Sequence, residues 1–134
     1  MTLQVHTARI GLVDPDVLDV TRKSGSELGK SFAPSWALLR PFLAWRASGL
    51  LGPEDWEKYV DSYTAEMRQS FTRRRDDWRE LLARSRVVLV CYCTDPLQCH
   101  RTILARDILP RLGAAYGGEL EGAPKPPTQR EIFR

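Results

Sequence analysis

The period of the apolar positions changes along the chain, and each change marks an element. Leu3 to Ile10 alternates loosely and carries the β-formers Val5, Thr7 and Ile10, which predicts a strand near 3–7. Asp14-Pro15 marks a turn, and Val17–Thr21 predicts a second short strand running into the polar loop Arg22-Lys23-Ser24-Gly25-Ser26. From Phe32 the spacing becomes helical, with Trp36, Leu39, Leu43 and Ala47 on one face and a stop at Gly49 and Gly52-Pro53. Pro41 removes a backbone donor inside this stretch, so a break or kink is expected there.

Glu54 to Arg84 contains neither Gly nor Pro. Trp56, Val60, Tyr63, Met67, Phe71, Trp78 and Leu82 recur at helical spacing, and the aromatic stripe reads as core. One straight helix of that length would reach roughly 45 Å, against a radius of gyration of about 14 Å for a domain of this size. A bend between Ser70 and Asp77 is therefore expected. Val87–Tyr92 is a continuous apolar run, the signature of a strand covered on both faces in a parallel sheet. A turn at Thr94-Asp95-Pro96 follows, then a helical pattern over 102–112 that ends at Gly113. A short strand near 119–121 would complete a β-α-β unit, with the two strands as parallel neighbours.

The pattern predicts an α/β fold: a small, mainly parallel sheet flanked by helices, one domain over 1–122 with an extended tail at 123–134. Length agrees, since 134 residues bury a core without staples. No apolar run is long enough to span a bilayer, and the first residues lack the layout of a signal peptide, so the default compartment is the cytosol. Net charge of +3 permits an anionic ligand without demanding nucleic acid. The arginines at 68, 73, 74, 75, 79, 84 and 86 are interleaved with Asp76, Asp77 and Glu80, which reads first as a solvated helix face.

Chemistry concentrates after the third strand. All 3 cysteines, Cys91, Cys93 and Cys99, lie within ten residues of His100, one of only 2 histidines. Such thiols read as reduced rather than as a disulfide framework. Cys99, His100 and Arg101 fall at a predicted helix start, where free N–H groups and the helix dipole favour anions and lower thiol pKa. In open α/β sheets ligands bind beyond the carboxyl ends of the strands, and the loops after Val20 and Tyr92 both leave strands there. The expected site therefore has Arg22, Lys23 and Arg101 holding an anion. Cys99 or His100 would act as nucleophile or proton carrier, and Ser24, Ser35 and Trp36 would shape the pocket.

Other chemistries follow from spacing. A cysteine phosphatase loop needs Arg six residues after Cys; Cys99 stands six after Cys93 and Asp95 stands six before Arg101, so that class does not fit. Nucleotide-binding glycine loops are absent. Cys91, Cys93, Cys99 and His100 form a legitimate ligand set for zinc or an iron–sulfur cluster, but paired C-x₂-C knuckles are lacking and adjacent Cys99 and His100 are expected to point apart.

The segment Val88–Ile103, with Cys91, Pro96 and Cys99-His100-Arg101, resembles the domain-of-unknown-function family 488 in a branch of bacterial and phage members. Leu18-Asp19-Val20-Thr21-Arg22-Lys23-Ser24-Gly25 and Phe32-Ala33-Pro34-Ser35-Trp36 resemble it too, and the likeness covers most of residues 5–122 in order. The resemblance implies a small Rossmann-like domain with these loops gathered at one end of the sheet; it implies no reaction and no cofactor. Many relatives carry an acidic residue where Cys93 stands, which removes an acid or base from the expected site and keeps metal binding open. Two functions remain: an enzyme acting on a phosphate-bearing, nucleotide-like substrate or nucleic acid, and a non-catalytic regulatory or nucleic-acid-binding module.

Overall fold

The alternating N-terminal segment and the apolar run before the cysteines pair as parallel strands. A computed structural model describes residues 2–121. Strand β1 (Gln4–Arg9) lies beside β3 (Arg86–Cys91), with Val5 opposite Val87 and Thr7 opposite Leu89. The short β2 (Val17–Asp19) flanks β3, and β4 (Ala115–Leu120) flanks β1, giving an all-parallel sheet of order β2-β3-β1-β4. β3 and β4 are thus not neighbours as expected: β1 is inserted between them. The extended tail expected at 123–134 lies outside the described residues.

The sheet faces differ in how they are covered. Val5, Val87 and Leu89 face the main core, built with Phe32, Phe42, Tyr59, Tyr63, Met67, Trp78, Ile103 and Leu109. Ala8, Val88 and Val90 face the other way and are covered by Ile10, Leu12, Val17 and Leu120. Burial on both sides is why β3 reads as an unbroken apolar run.

Helices α1 (Glu27–Lys30), α2 (Trp36–Ser48), α3 (Pro53–Arg73) and α4 (Arg75–Leu82) fill the crossover from β2 to β3. The expected bend is at Arg74, whose φ of −119° and ψ of 40° interrupt the helical path. Trp78 then turns back into the core, its ring against both Phe32 and Phe71. In contrast, α2 runs unbroken through Pro41. Pro41 and Ala37 are both exposed, so water can take the Ala37 carbonyl that proline leaves without a donor. The buried position on α2 is Phe42, with Leu38 and Leu43 beside it, while Trp36 faces outward under Arg40.

After β3 a 3-10 turn (Pro96–Gln98) leads into α5 (His100–Thr102), which widens into π geometry at Ile103–Ile108 and tightens to 3-10 at Leu109–Leu112. Pro110 cannot donate a helical hydrogen bond, and the wider and tighter turns accommodate it. Gly113, at a φ of 100°, ends the helix as expected. No helix among the described residues is long and apolar enough to cross a membrane.

Candidate functional site

β3 delivers Cys91 at its carboxyl end on the side of Val87 and Leu89, because alternate side chains share a face. Cys93 follows two residues on. The chain then turns at Asp95, whose Oδ1 accepts the Leu97 amide at 2.9 Å. This turn returns Cys99 to the strand end. The sulfurs of Cys91, Cys93 and Cys99 all lie within 4.8 Å of one another, and those of Cys91 and Cys93 are 3.8 Å apart.

Cys99 and His100 do not diverge as the helix-start argument expects. Cys99 is extended (φ −142°, ψ 142°) and precedes the helix, whereas His100 is its first residue. The change of backbone between them lets both side chains meet Cys91, with His100 Nδ1 at 3.9 Å from its sulfur. The other ring nitrogen, Nε2, stands 2.8 Å from the Val20 carbonyl. A carbonyl only accepts, so Nε2 carries a proton, and this bond holds the ring with Nδ1 toward the thiols. Tyr63 packs its ring 5.6 Å from the imidazole, which is buried.

The thiols titrate as a unit. Hydrogen bonding from Cys93 and then Cys99 holds Cys91 well below the usual thiol range, with His100 adding to it. The bond to Cys91 raises Cys93, and burial raises Cys99. The cluster therefore takes its first negative charge more readily than an isolated buried thiol would, and the three sulfurs share it. Arg46 reaches in from α2 with Nη1 3.2 Å from the Cys93 sulfur. Burial opposes the charge of Arg46, but the bond to Cys93 and the negative charge of the cysteines outweigh it.

The remaining expected site residues fall into separate environments. Arg101 is fully buried and grips Glu119 of β4 with two bonds of 3.1 and 2.8 Å, while Nη1 donates to the Cys93 carbonyl at 2.9 Å. Burial opposes its charge, and the bonds to Glu119 together with the neighbouring Cys99 sulfur outweigh that cost. Arg22 donates to the carbonyls of Pro34, Lys30 and Ala33 at 2.9 to 3.1 Å. Both guanidiniums therefore already have partners within the chain. The Arg22–Ser26 loop does wrap an anion, but that anion is the Asp19 side chain. Its oxygens take the Thr21 amide at 2.9 Å and the Ser24 hydroxyl at 2.5 Å. Lys23 is exposed, and Trp36 is outside the thiol cluster. Ser35 caps α2, accepting the Leu38 amide at 3.2 Å, and gives its own amide and hydroxyl to Glu66.

Arg46, Glu119, Tyr63 and the Val20 carbonyl all belong to the site's surroundings and were not singled out by sequence. Arg46 is one of 20 basic residues with no local motif, and Glu119 sits in a glycine-containing stretch with weak strand character. A buried arginine does require an acceptor, so Arg101 itself signals a distant carboxylate without saying which.

The family model described as the active DUF488-N3 subclade, DUF488-N3a, matches residues 6–112. The chain belongs to the DUF488 family. The match spans β1 through the 3-10 end of the last helix and includes the thiols, His100 and Arg101. No curated protein and no solved structure matches the chain. For this DUF488 member, what the site does must therefore be argued from its own geometry.

Proposed function

We propose that this DUF488 protein binds a phosphate-bearing, nucleotide-like ligand in the cleft between residues 30–35 and the α3–α4 bend. The observation that carries the reading is the cleft itself, about 670 Å³, lined by Arg22, Lys30, Ser31, Ser35, Arg73 and Arg74. That volume is in the usual range for small-molecule sites, roughly 300–1,000 Å³. Glu27, Glu66 and Asp77 also line it; Glu66 is engaged by Ser35 and Asp77 by the Ser31 hydroxyl at 2.5 Å, while Glu27 is exposed, which leaves four lining cations against three carboxylates. Arg73 and Arg74 flank the break in the helix and, like Lys30, are exposed and in no ion pair among the described residues, so these three are placed to meet phosphate. Arg22 supports them indirectly, by fixing one wall through its three carbonyl partners. Cys99 and His100 do not line the cleft, so this is a reading about recognition and not about turnover.

Thermal denaturation with pyrophosphate, ATP and a short single-stranded oligonucleotide tests it. At low salt at least one of these ligands is expected to raise the melting temperature. The Arg73→Ala/Arg74→Ala variant should weaken that ligand by at least about tenfold, since two charge-assisted contacts are removed. Preference for the oligonucleotide, with steep salt dependence, would make nucleic acid the partner rather than a free nucleotide. An unmoved melting temperature with all three, or a shift retained by the double variant, overturns the reading.

A further inference from the structure

We infer that Cys91, Cys93, Cys99 and His100 form a binding site for a single zinc-class divalent ion, independent of the phosphate cleft. Four observations converge on it.

The first is spacing. Zinc–sulfur bonds are about 2.3 Å, so the edge of a regular ZnS₄ tetrahedron is about 3.8 Å. The Cys91 and Cys93 sulfurs stand 3.8 Å apart, and none of the three is more than 4.8 Å from another. Three free thiols within 4.8 Å of one another, two of them in contact and none in a disulfide, present a triangular face of donors.

The second is the imidazole. Metal-bound histidines characteristically donate their second ring N–H to a carbonyl or carboxylate, which fixes the tautomer and the ring. His100 has that arrangement, with Nε2 on the Val20 carbonyl at 2.8 Å and Nδ1 directed at Cys91, 3.9 Å away. Among the thiols Nδ1 is in contact with Cys91, so His100 is the nitrogen donor placed to complete the set by moving in toward the other two sulfurs.

The third is charge. Three thiolates around a divalent ion leave one net negative charge, which needs compensation when buried. Arg46 supplies it: its guanidinium faces the Cys93 sulfur at 3.2 Å and has no carboxylate partner among the described residues. Arg101 donates to the Cys93 carbonyl from the opposite flank and holds the ligand-bearing turn in place.

The fourth is burial. All three thiols and the imidazole are buried, so the site excludes water and soft thiolate donors favour zinc over hard cations such as magnesium. Four protein donors make it a closed centre of the structural kind, not one with an open coordination position.

The test uses the full chain, purified reduced and without chelators. Elemental analysis should give about one zinc per chain. Cobalt added to the metal-free protein should produce a sulfur-to-metal charge-transfer band together with the strong visible bands of tetrahedral coordination. Cys93 is the least buried of the three, and Cys93→Ser should remove about one third of the charge-transfer intensity. His100→Ala should keep the charge-transfer band and change the visible bands, because sulfur donors remain while the nitrogen donor is lost. Wild-type protein that is folded by circular dichroism, has three titratable thiols, and takes up neither zinc nor cobalt overturns the inference. So does a cobalt spectrum unchanged in folded Cys93→Ser. If Cys99→Ser or His100→Ala does not fold, the wild-type spectrum decides alone.

Discussion

At the scale of single residues, the arginines of the motifs that carry the family resemblance, Arg22 and Arg101, are anchors. Arg22 and Lys23 are adjacent, and the sequence treats them alike, yet one makes three carbonyl bonds and the other is exposed. Arg22→Ala should lower unfolding stability by about 2–3 kcal/mol, since several charged-group hydrogen bonds are lost at once. Lys23→Ala should change it by less than about 0.5 kcal/mol. Urea denaturation of the two variants separates these roles; equal losses would mean that the loop carries the effect, not the guanidinium. Arg101→Met should be costlier, about 3–5 kcal/mol, because three bonds of a fully buried guanidinium, two to Glu119 and one to the Cys93 carbonyl, are lost at once. Its effect should appear in stability whatever the ligand. Thiol reactivity belongs to the same scale: Cys93, 9% exposed, should alkylate before Cys99 at 1%. Mass spectrometry of partially alkylated native protein reads the order directly.

At the scale of elements, glycine and proline decide what the hydrophobic pattern leaves open. β4 is longer than expected because Gly117 and Gly118 hide it: they lower strand propensity yet allow a register shift opposite Val5–Thr7. A Cβ on Gly117 would collide with the His6 ring, and Gly118 has a φ of 102°. Gly117→Ala should therefore loosen β4, seen as faster amide exchange at Ala115–Leu120 with β2 and β3 protection retained. Conversely, Pro41 lies on the exposed side of a helix that continues through it. Pro41→Ala should restore the bond to the Ala37 carbonyl and stabilise the protein by about 1–3 kcal/mol. A destabilised Pro41→Ala would show that the proline shapes α2 in some way its hydrogen bonding does not capture.

At the scale of the whole molecule, distant segments are tied by a few polar clamps. Arg86, at the start of β3, holds Asp14 and Asp16 of the β1–β2 connection at 2.8 to 3.0 Å. The hydrogen bond from Arg86 keeps the Asp14 carboxyl below its ordinary value of 3.8. A depressed folded-state pKa means that the contribution is present above that ordinary value and is lost as pH falls through the lower, folded one. Asp14→Asn should therefore flatten acid unfolding below about pH 4, as followed by circular dichroism. At the opposite end of the sheet, His100 ties the thiol turn to Val20 and Arg46 ties it to α2. The proposed ligand cleft and the thiol cluster thus lie in different parts of one fold, the cleft at the α3–α4 bend and the thiols at the strand ends.

The sequence by itself determined the α/β class, the existence of the two core strands near 3–7 and 87–92, the bend near Arg74 and the concentration of reactive residues in the segment holding the cysteines and His100. These follow from local periodicity and from residue types that concentrate in one place. It also determined membership of the family, through motifs that are contiguous in the chain. Only the tertiary structure decided the strand order, because pairing energy depends on faces and twist that no local window records. Only it decided that Cys99 and His100 converge, since that turns on one extended residue before a helix. It likewise decided the roles of Arg22 and Arg101. A guanidinium in a sequence is a cation of unknown partner, and its partners here, the carbonyls of 30–34 and the Glu119 carboxylate, are supplied by the folding of distant chain.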